Sequence, residues 1–506
     1  MKKFIALQTH FFFLLLTATL YYGIAFIFSD FYTIPSNGIK DICVLACQWM
    51  LVCVATCGLL YLLAINKYIW MIVFPLLTLL CSILAYFRYT ANIVFSTMIL
   101  DATLHNDLRT SLDLITPQLI IFVTCNLFIS LIGVWYRFKY AKILNKNVFF
   151  HLLIAIILLF PLITSATKRP VQNRMPMNLF FVSKTYFEEQ TIIAVNRLSF
   201  VDPDMKCSND SLIVVFVIGE SLRADHLGLN GYLRNTTPLL EHDSVISLPH
   251  IFSEYTYTNA SLPHILTRAD SAHTERAYTE NSFISIFKQC HFETWWITNQ
   301  EAESGYVYFI NECDSVKYAN KGKLSYNFDR WTDSDLLPYI DEALLSKPSK
   351  KLLIIHTIGS HWYYNSHYTD DFQKFNPITK SKVVSSNTPE QMINSYDNTV
   401  LYTDAFLHSL ITRLKDKNVI LIYLSDHGET LGENGLWLHA LAGNSNKNPA
   451  CFVWMSDFYK KRNAQKVEML TKNATKHYRS DFLFHSILDA ATIDTKYKEL
   501  SLSIFN

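Results

Sequence analysis

Five apolar runs, each long enough to form a bilayer-spanning helix, lie within the first 166 residues and constrain everything that follows. They fall near 11–28, 41–65, 69–88, 117–136 and 148–166. A helix needs about 20 predominantly apolar residues to cross the hydrocarbon core. The first run follows Met1, Lys2 and Lys3 as a signal peptide would. It is too long for one, lacks a small-residue cleavage site and precedes four more runs, so it reads as a retained anchor. Lys2, Lys3, Lys67, Arg137, Lys139, Lys142 and Lys146 all fall on one side of the membrane, whereas 29–40 and 89–116 carry few cations. The positive-inside rule therefore predicts a cytoplasmic N-terminus, and five crossings put the chain from 167 onward outside.

The predicted organisation is a transmembrane domain at 1–166, an interfacial connector at 167–204 and an exported catalytic domain at 205–506. Within the first, the stretch Asn92–Leu114 is amphipathic, and the loop 89–116 is expected to lay a helix on the outer membrane surface. The connector mixes Lys168, Arg169, Arg174 and Lys184 with Phe180, Phe181, Tyr186 and Phe187, a combination suited to headgroup level. With 44 basic residues against 43 acidic, there is no basic field to attract a nucleic acid. Six cysteines (Cys43, Cys47, Cys53, Cys57, Cys81 and Cys125) lie in apolar runs and read as small core residues. The exported part holds Cys207, Cys290, Cys313 and Cys451, enough for one or two disulfides.

From about 205 the pattern changes to short β-branched runs alternating with helical segments. Leu212–Ile218, Thr294–Ile297, Leu352–Ile355 and Val419–Leu424 read as buried parallel strands. Helices are expected over 281–289, 334–346, 389–416 and 480–491. Such alternation predicts an α/β fold, a mainly parallel sheet covered on both faces. Sites in such sheets lie beyond the carboxyl ends of the strands. There the sequence places Gly219, Glu220 and Ser221; His356, with His361 five residues on; and Ser425, Asp426, His427, Gly428 and Glu429.

Two carboxylates and an imidazole, Glu220, Asp426 and His427, form a donor set that suits zinc as a Lewis acid, with an open position left on the ion. Magnesium would prefer oxygen throughout. Taken singly, Glu220 is more often a helix-start carboxylate and His427 a strand-end histidine satisfied by backbone. A nucleophile is expected near a helix N-terminus, where backbone N–H groups hold phosphate. The segment Tyr257–His264 fits, with Ser261 as N-cap and Pro263 in the first turn. Thr256, Thr258 and Ser261 compete for the role on chemistry alone. His356, His361 and His439 are candidate general acids or bases, and Leu431–Gly435 is a candidate substrate loop leading to His439.

Taken together, Val217–His226, Leu229–Pro238, Thr258–Pro263, His356–His361 and Ser425–Gly435 with His439 resemble the phosphoethanolamine transferases of bacterial envelopes, which include the lipid A-modifying colistin-resistance enzymes. The resemblance covers nearly the whole chain. It implies a five-helix transmembrane domain followed by a periplasmic α/β domain of the alkaline phosphatase and sulfatase superfamily, in the bacterial inner membrane. It implies zinc held by Glu220, Thr258, Asp426 and His427, one ion tightly bound with room for a second. It selects Thr258 as nucleophile, the threonine five residues before Pro263. It assigns His356, His361, Glu429 and His439 to substrate handling, leaving-group protonation or a second metal. Asn299 falls to substrate binding, in the stretch where some members carry a pocket lysine.

The implied reaction is ping-pong. Phosphatidylethanolamine donates phosphoethanolamine to the threonine, diacylglycerol leaves, and an envelope glycolipid such as lipid A or the lipopolysaccharide core accepts the group. A monomer among membrane lipids is expected. The chain departs from lipid A-modifying members at His264, where they have cysteine, and at Trp362-Tyr363, where Gly-Pro is usual. Two alternatives are a phosphoglycerol transferase using the same metal and threonine, and a non-catalytic lipid-binding membrane scaffold. Buried carboxylates without a metal are costly, which argues against the scaffold.

Overall fold

The computed structural model describes residues 2–91, 93–105, 115–142, 148–193, 196–207, 211–320, 323, 330–439 and 443–506. It divides into two compact units: the first runs to Phe187 and takes in Ser381–Ser386, and the second comprises most of the chain from Glu188 onward.

The first unit is helical. Its elements are α1 (Lys2–Ala25), α2 (Gly38–Ile65), α3 (Lys67–Ala91), α4 (Thr97–His105), α5 (Pro117–Lys139), α6 (Val148–Leu158), α7 (Ser165–Gln172) and the start of α8 (Asn178–Ile193). Four segments, Thr9–Asp30, Gly38–Ile65, Lys67–Thr90 and Pro117–Lys139, are long and apolar enough to cross a membrane. The fifth apolar run differs from the continuous span expected. It consists of the 11-residue α6, a 3-10 turn at Phe160–Leu162 and the start of α7. Pro161 lacks an N–H and crowds the preceding turn, which ends the α-helical ladder there. Eleven residues rise about 16 Å, less than the hydrocarbon thickness. The loop expected to carry a helix does so as α4; Asn92 and 106–114 lie outside the described residues. Some polar side chains inside this unit pair with one another, as Tyr22 with Thr78 at 2.8 Å and Tyr61 with His151 at 2.7 Å.

The second unit is built on a seven-stranded sheet. In chain order its strands are β1 (Leu212–Gly219), β2 (Ile246–Ser247), β3 (Glu293–Thr298), β4 (Ser315–Tyr318), β5 (Lys350–His356), β6 (Val419–Ser425) and β7 (Cys451–Met455). Across the sheet they run β2-β7-β6-β1-β5-β3-β4. β1 pairs in parallel with both β5 and β6, and β3 in parallel with β5 and β4; only β7 and β2 at one edge run antiparallel. Every residue of β1 is buried. That is why this strand reads as an unbroken apolar run: helices cover both faces of a central parallel strand. Each buried Val, Ile or Phe contributes about 1.5–3 kcal/mol, so the register is strongly fixed.

That register positions the site. Ile218 pairs with His356 and His356 with Thr298, while Gly219 pairs with Ser425. Four strands therefore end level, and whatever follows each is delivered to one rim. The expected helices appear as α11 (Phe283–Gln289), α12 (Leu337–Leu345), α13 (Pro389–Leu414) and α14 (Phe482–Ala490), after α9 (Pro238–His242) and α10 (Thr258–Leu266). Helix α13 starts with a capping box between Thr388 and Gln391, two orphan donors satisfied reciprocally. Of the four exported cysteines, Cys207 and Cys290 form one disulfide with Cα atoms 5.6 Å apart, and Cys313 and Cys451 are buried free thiols.

Candidate metal and transfer site

The rim begins with a sharp turn out of β1. Glu220 is almost fully buried, and Ser221 after it sits at φ 58°, a left-handed conformation that costs a non-glycine residue about 1–3 kcal/mol and collects at functional sites. The turn is held from several directions. The Ser221 hydroxyl donates to Glu220 Oε1 (2.7 Å) and its N–H to Asp426 Oδ1 (3.3 Å). The Tyr396 hydroxyl, from α13, donates to the Ser221 carbonyl (2.8 Å) and accepts the Arg223 N–H (2.9 Å). Gly359, at φ 48°, passes so close that a Cβ there would meet the Glu220 carbonyl at 2.8 Å, so only glycine suits this position.

From β6 come Asp426 and His427, both fully buried. Asp426 Oδ1 also accepts the His427 N–H at 2.8 Å. His427 Nδ1 lies 2.7 Å from the Gly428 carbonyl, an orientation that leaves Nε2 as the free lone pair, the usual support of a metal-binding imidazole. That Nε2 lies 3.5 Å from Glu220 Oε1 and 3.4 Å from Asp426 Oδ2. Helix α10 supplies Thr258, whose hydroxyl donates to Glu220 Oε2 at 3.1 Å. The helix begins at Thr258 with Tyr257 as its N-cap residue. This corrects the expectation of a cap at Ser261 with Pro263 in the first turn: Ser261 is buried mid-helix. Thr258 is thus the first helical residue, and its hydroxyl faces the carboxylate instead of capping the helix.

His439 joins the same cluster. One ligand atom each from Glu220, His427 and His439 lie within 4.8 Å of one another. His439 Nδ1 is 3.4 Å from Glu429 Oε2, and its ring centroid is 4.7 Å from that of His427 and 5.7 Å from that of His361. His361 sits half-buried at this edge, its Nδ1 2.5 Å from the Trp362 carbonyl.

Two predicted residues are placed differently. His356 is fully buried with its ring edge-on to Trp296 and Tyr306, and neither ring nitrogen has a partner among the described residues. Asn299 is also fully buried. Its amide donates to the Thr332 carbonyl and to Asp333 Oδ1, each at 3.0 Å. Asp333 in turn accepts the N–H groups of Ile358 (2.8 Å) and Gly359 (3.0 Å), so Asn299 shapes the loop between His356 and His361. Its neighbour Gln300 reaches the site, donating to Glu220 Oε2 and to the Thr357 carbonyl, each at 2.9 Å. The strand-end rule that found Glu220 and Asp426 also points to Gln300, two residues past β3.

The electrostatics describe a site built for a cation. Burial pushes the Glu220 carboxyl upward, but His427, His361 and His439 together hold it below the usual carboxylate range. Asp426 moves the other way, raised by burial and by the Glu220 charge. Two carboxylates this close cannot both ionise without a neutralising partner. Burial depresses His427 and His361. For His439 burial acts downward too, yet the Glu429 carboxylate raises it to about 9. Asp426 Oδ2, His427 Nε2 and Glu429 Oε1 are all buried without a hydrogen-bond partner among the described residues. Orphaned buried atoms of this kind are rare in native structures. Carboxylate and imidazole donors are those a divalent transition ion takes, so the residues fit one.

Comparison with known proteins follows the same division of the chain. A family model described as Sulfatase matches residues 213–493, and one described as Phosphoethanolamine transferase EptA/EptB matches residues 51–169. The phosphoethanolamine transferase EptA of Escherichia coli (strain K12) is 28% identical over 449 residues, covering 81% of this chain and 81% of its own. The integral membrane lipooligosaccharide phosphoethanolamine transferase A (EptA) from Neisseria meningitidis superposes with a TM-score of 0.55 at 23% identity, covering 97% of each chain, a likeness of fold. The C-terminal periplasmic domain of EptC from Escherichia coli, solved in complex with Zn, gives a TM-score of 0.56 at 25% identity, covering 61% of this chain and 90% of that one.

Proposed function

The chain belongs to the sulfatase family and, within it, to the phosphoethanolamine transferases; from that premise we propose that it carries phosphoethanolamine from phosphatidylethanolamine to a lipopolysaccharide acceptor, lipid A or core, through a covalent intermediate on Thr258. The observation that carries this reading is the Thr258 hydroxyl, 3.1 Å from a Glu220 carboxylate at the edge of a buried set of partnerless ligand atoms. Glu220, Asp426, His427 and Thr258 would hold one zinc ion, with His439 near enough to take part or to join Glu429 around a second. Bound there, zinc would neutralise charge on a phosphoryl oxygen and ease deprotonation of the threonine.

The chain's own residues do the rest. Glu220 Oε2 accepts the hydrogen bond of the Thr258 hydroxyl and aims its oxygen, while Gln300 pins that same carboxylate oxygen; the hydroxyl proton, whose loss a bound ion would ease, passes to water. Thr258 Oγ1 forms a bond to phosphorus as the bond to the diacylglycerol oxygen breaks. The leaving oxygen takes a proton from the His361–His439 pair. His439, whose protonated form Glu429 favours, is the better donor of the two when no ion takes its nitrogen. His356, sealed between Trp296 and Tyr306, supports the site from beneath. An acceptor oxygen then attacks phosphorus, and the threonine oxygen leaves. Both exchange partners are lipids, which gives the apolar helices of the first unit their purpose and fits an inner-membrane protein whose second unit works in the periplasm.

The test is to incubate the full chain in micelles with phosphatidylethanolamine and weigh the Thr258 peptide. A gain equal to ethanolamine phosphate is expected, lost on addition of acceptor and absent from Thr258→Ala. A glycerol phosphate mass would instead assign the phosphoglycerol reaction. Labelling or transfer that survives Thr258→Ala ends the covalent mechanism.

A further inference from the structure

A second group of metal-ligand atoms converges where α9 meets α13. Helix α9 ends at His242, and Asp243 follows as its C-cap residue, its N–H 2.9 Å from the Leu239 carbonyl. Ser244 then takes φ 56°, a strained left-handed turn for a non-glycine residue that fixes where Asp243 points. The start of α9 is tied to α13 by Asp404, whose carboxylate accepts the N–H groups of Leu239 (3.0 Å) and Leu240 (2.9 Å). One turn further along α13, His408 Nδ1 lies 2.9 Å from Asp243 Oδ2. His242 Nδ1 lies 3.4 Å from Asp243 Oδ1. One ligand atom from each of the three residues falls within 4.8 Å of the others.

The burial is uneven in a telling way. The Asp243 side chain is only 8% exposed, against 34% for His408 and 77% for His242. Among the described residues, two imidazoles are the only donors to this carboxylate, and Asp404 places a second buried carboxylate on the next turn of α13. A nearly buried anion facing two nitrogen ligands is the donor set of a zinc-type ion, whereas calcium and magnesium select oxygen. Ligands about 2.0–2.2 Å from a tetrahedral ion stand roughly 3.4 Å apart. The Asp243–His408 and Asp243–His242 separations are already of that order, and the exposed His242 is free to rotate toward them.

We propose that His242, Asp243 and His408 form a surface site for a divalent transition ion of the zinc type, distinct from the transfer site, that staples the end of α9 to α13. A fourth position is open to water.

Histidine carbethoxylation tests this on the full chain in detergent micelles, stripped of metal with a chelator and then titrated with zinc chloride. Modification of His242 and His408 is read peptide by peptide, and the His427 and His439 peptides report the transfer site separately in the same spectra. Zinc at about ten times its dissociation constant should slow modification of His242 and His408 about tenfold. In His408→Ala, protection of His242 should disappear while that of His439 persists, which also certifies that the variant is folded. Equal modification rates with and without zinc at His242 and His408, or full protection of His242 in His408→Ala, would overturn the proposal whatever happens at the transfer site.

Discussion

Replacing Asp426 with asparagine should stabilise the metal-free protein and weaken its response to zinc, opposite signs from one atom. Asp426 Oδ1 accepts two backbone N–H groups, from Ser221 and His427, and an amide oxygen keeps both. Asp426 Oδ2 has no hydrogen-bond partner among the described residues and lies 3.4 Å from His427 Nε2; an amide nitrogen there becomes a donor to that lone pair. Without metal, the change removes a carboxyl whose ionisation burial and the Glu220 charge oppose and gives the orphan a partner, an effect of about 1–2 kcal/mol. With metal, a carboxylate ligand is lost. Free zinc at about 1,000 times the dissociation constant stabilises the wild type by about 4.1 kcal/mol. A ligand loss that weakens binding about 100-fold removes about 2.7 of these. At about 2 °C per kcal/mol for a domain of this size, zinc should raise the wild-type midpoint by about 8 °C and that of Asp426→Asn by about 3 °C. The chelated variant should melt about 2–4 °C above the chelated wild type. Tryptophan fluorescence during heating of the full chain in micelles, with chelator or zinc, measures all four midpoints. A chelated variant that melts below the chelated wild type, with equal zinc increments in both, would refute the idea that the site is a pair of competing anions awaiting a cation.

Two further outcomes follow from the second unit. The Glu312 carboxyl is raised to about 7, chiefly by burial, although Ser282 hydrogen-bonds it. Its folded value exceeds the ordinary 4.5, so its contribution is fully present below that pH and is lost as pH rises through 7. Urea titrations should therefore give a wild type that loses about 3 kcal/mol more than Glu312→Gln between pH 4.5 and 8; parallel curves would show that Glu312 titrates normally. The Cys207–Cys290 disulfide closes a separation of 83 residues, which the chain-entropy argument values at up to about 4.6 kcal/mol. The paired serine variant should lose about 3 kcal/mol in urea unfolding, and a loss below about 1 kcal/mol would mean that the reduced unfolded chain is already constrained.

How much of this was legible in the sequence depended on how far each feature is written in local pattern. The strands β1, β3, β5 and β6 were legible because a parallel strand covered on both faces must be apolar throughout. β2 and β4 were not, being short and only half-buried at the sheet edges. β7 is fully buried, but five apolar residues alone do not separate a strand from a buried helical turn. The chemistry followed the same logic. Glu220, Asp426 and His427 sit where strands end, and the parallel register brings those ends level, so position along the chain predicted position in space. Thr258 was harder: a threonine, a serine and a proline near a helix start suggested a cap at Ser261, and only the three-dimensional approach of Glu220 draws the Thr258 hydroxyl away from capping.

Asn299 and Gln300 mark where such reasoning stops. Both follow β3, and alternation points them to opposite sides of the chain. One builds a loop through Asp333 and the other pins the Glu220 carboxylate, and nothing in two adjacent amides says which does which. Tyr396 is further out of reach. It lies in the middle of α13, far from any strand end, with the composition of an ordinary core residue, yet its hydroxyl bridges both sides of the left-handed Ser221 turn. Residues that touch reacting groups carry a signature of type and place. Residues that hold those groups still are drawn from whatever element packs against them, and their identity is decided by tertiary geometry alone.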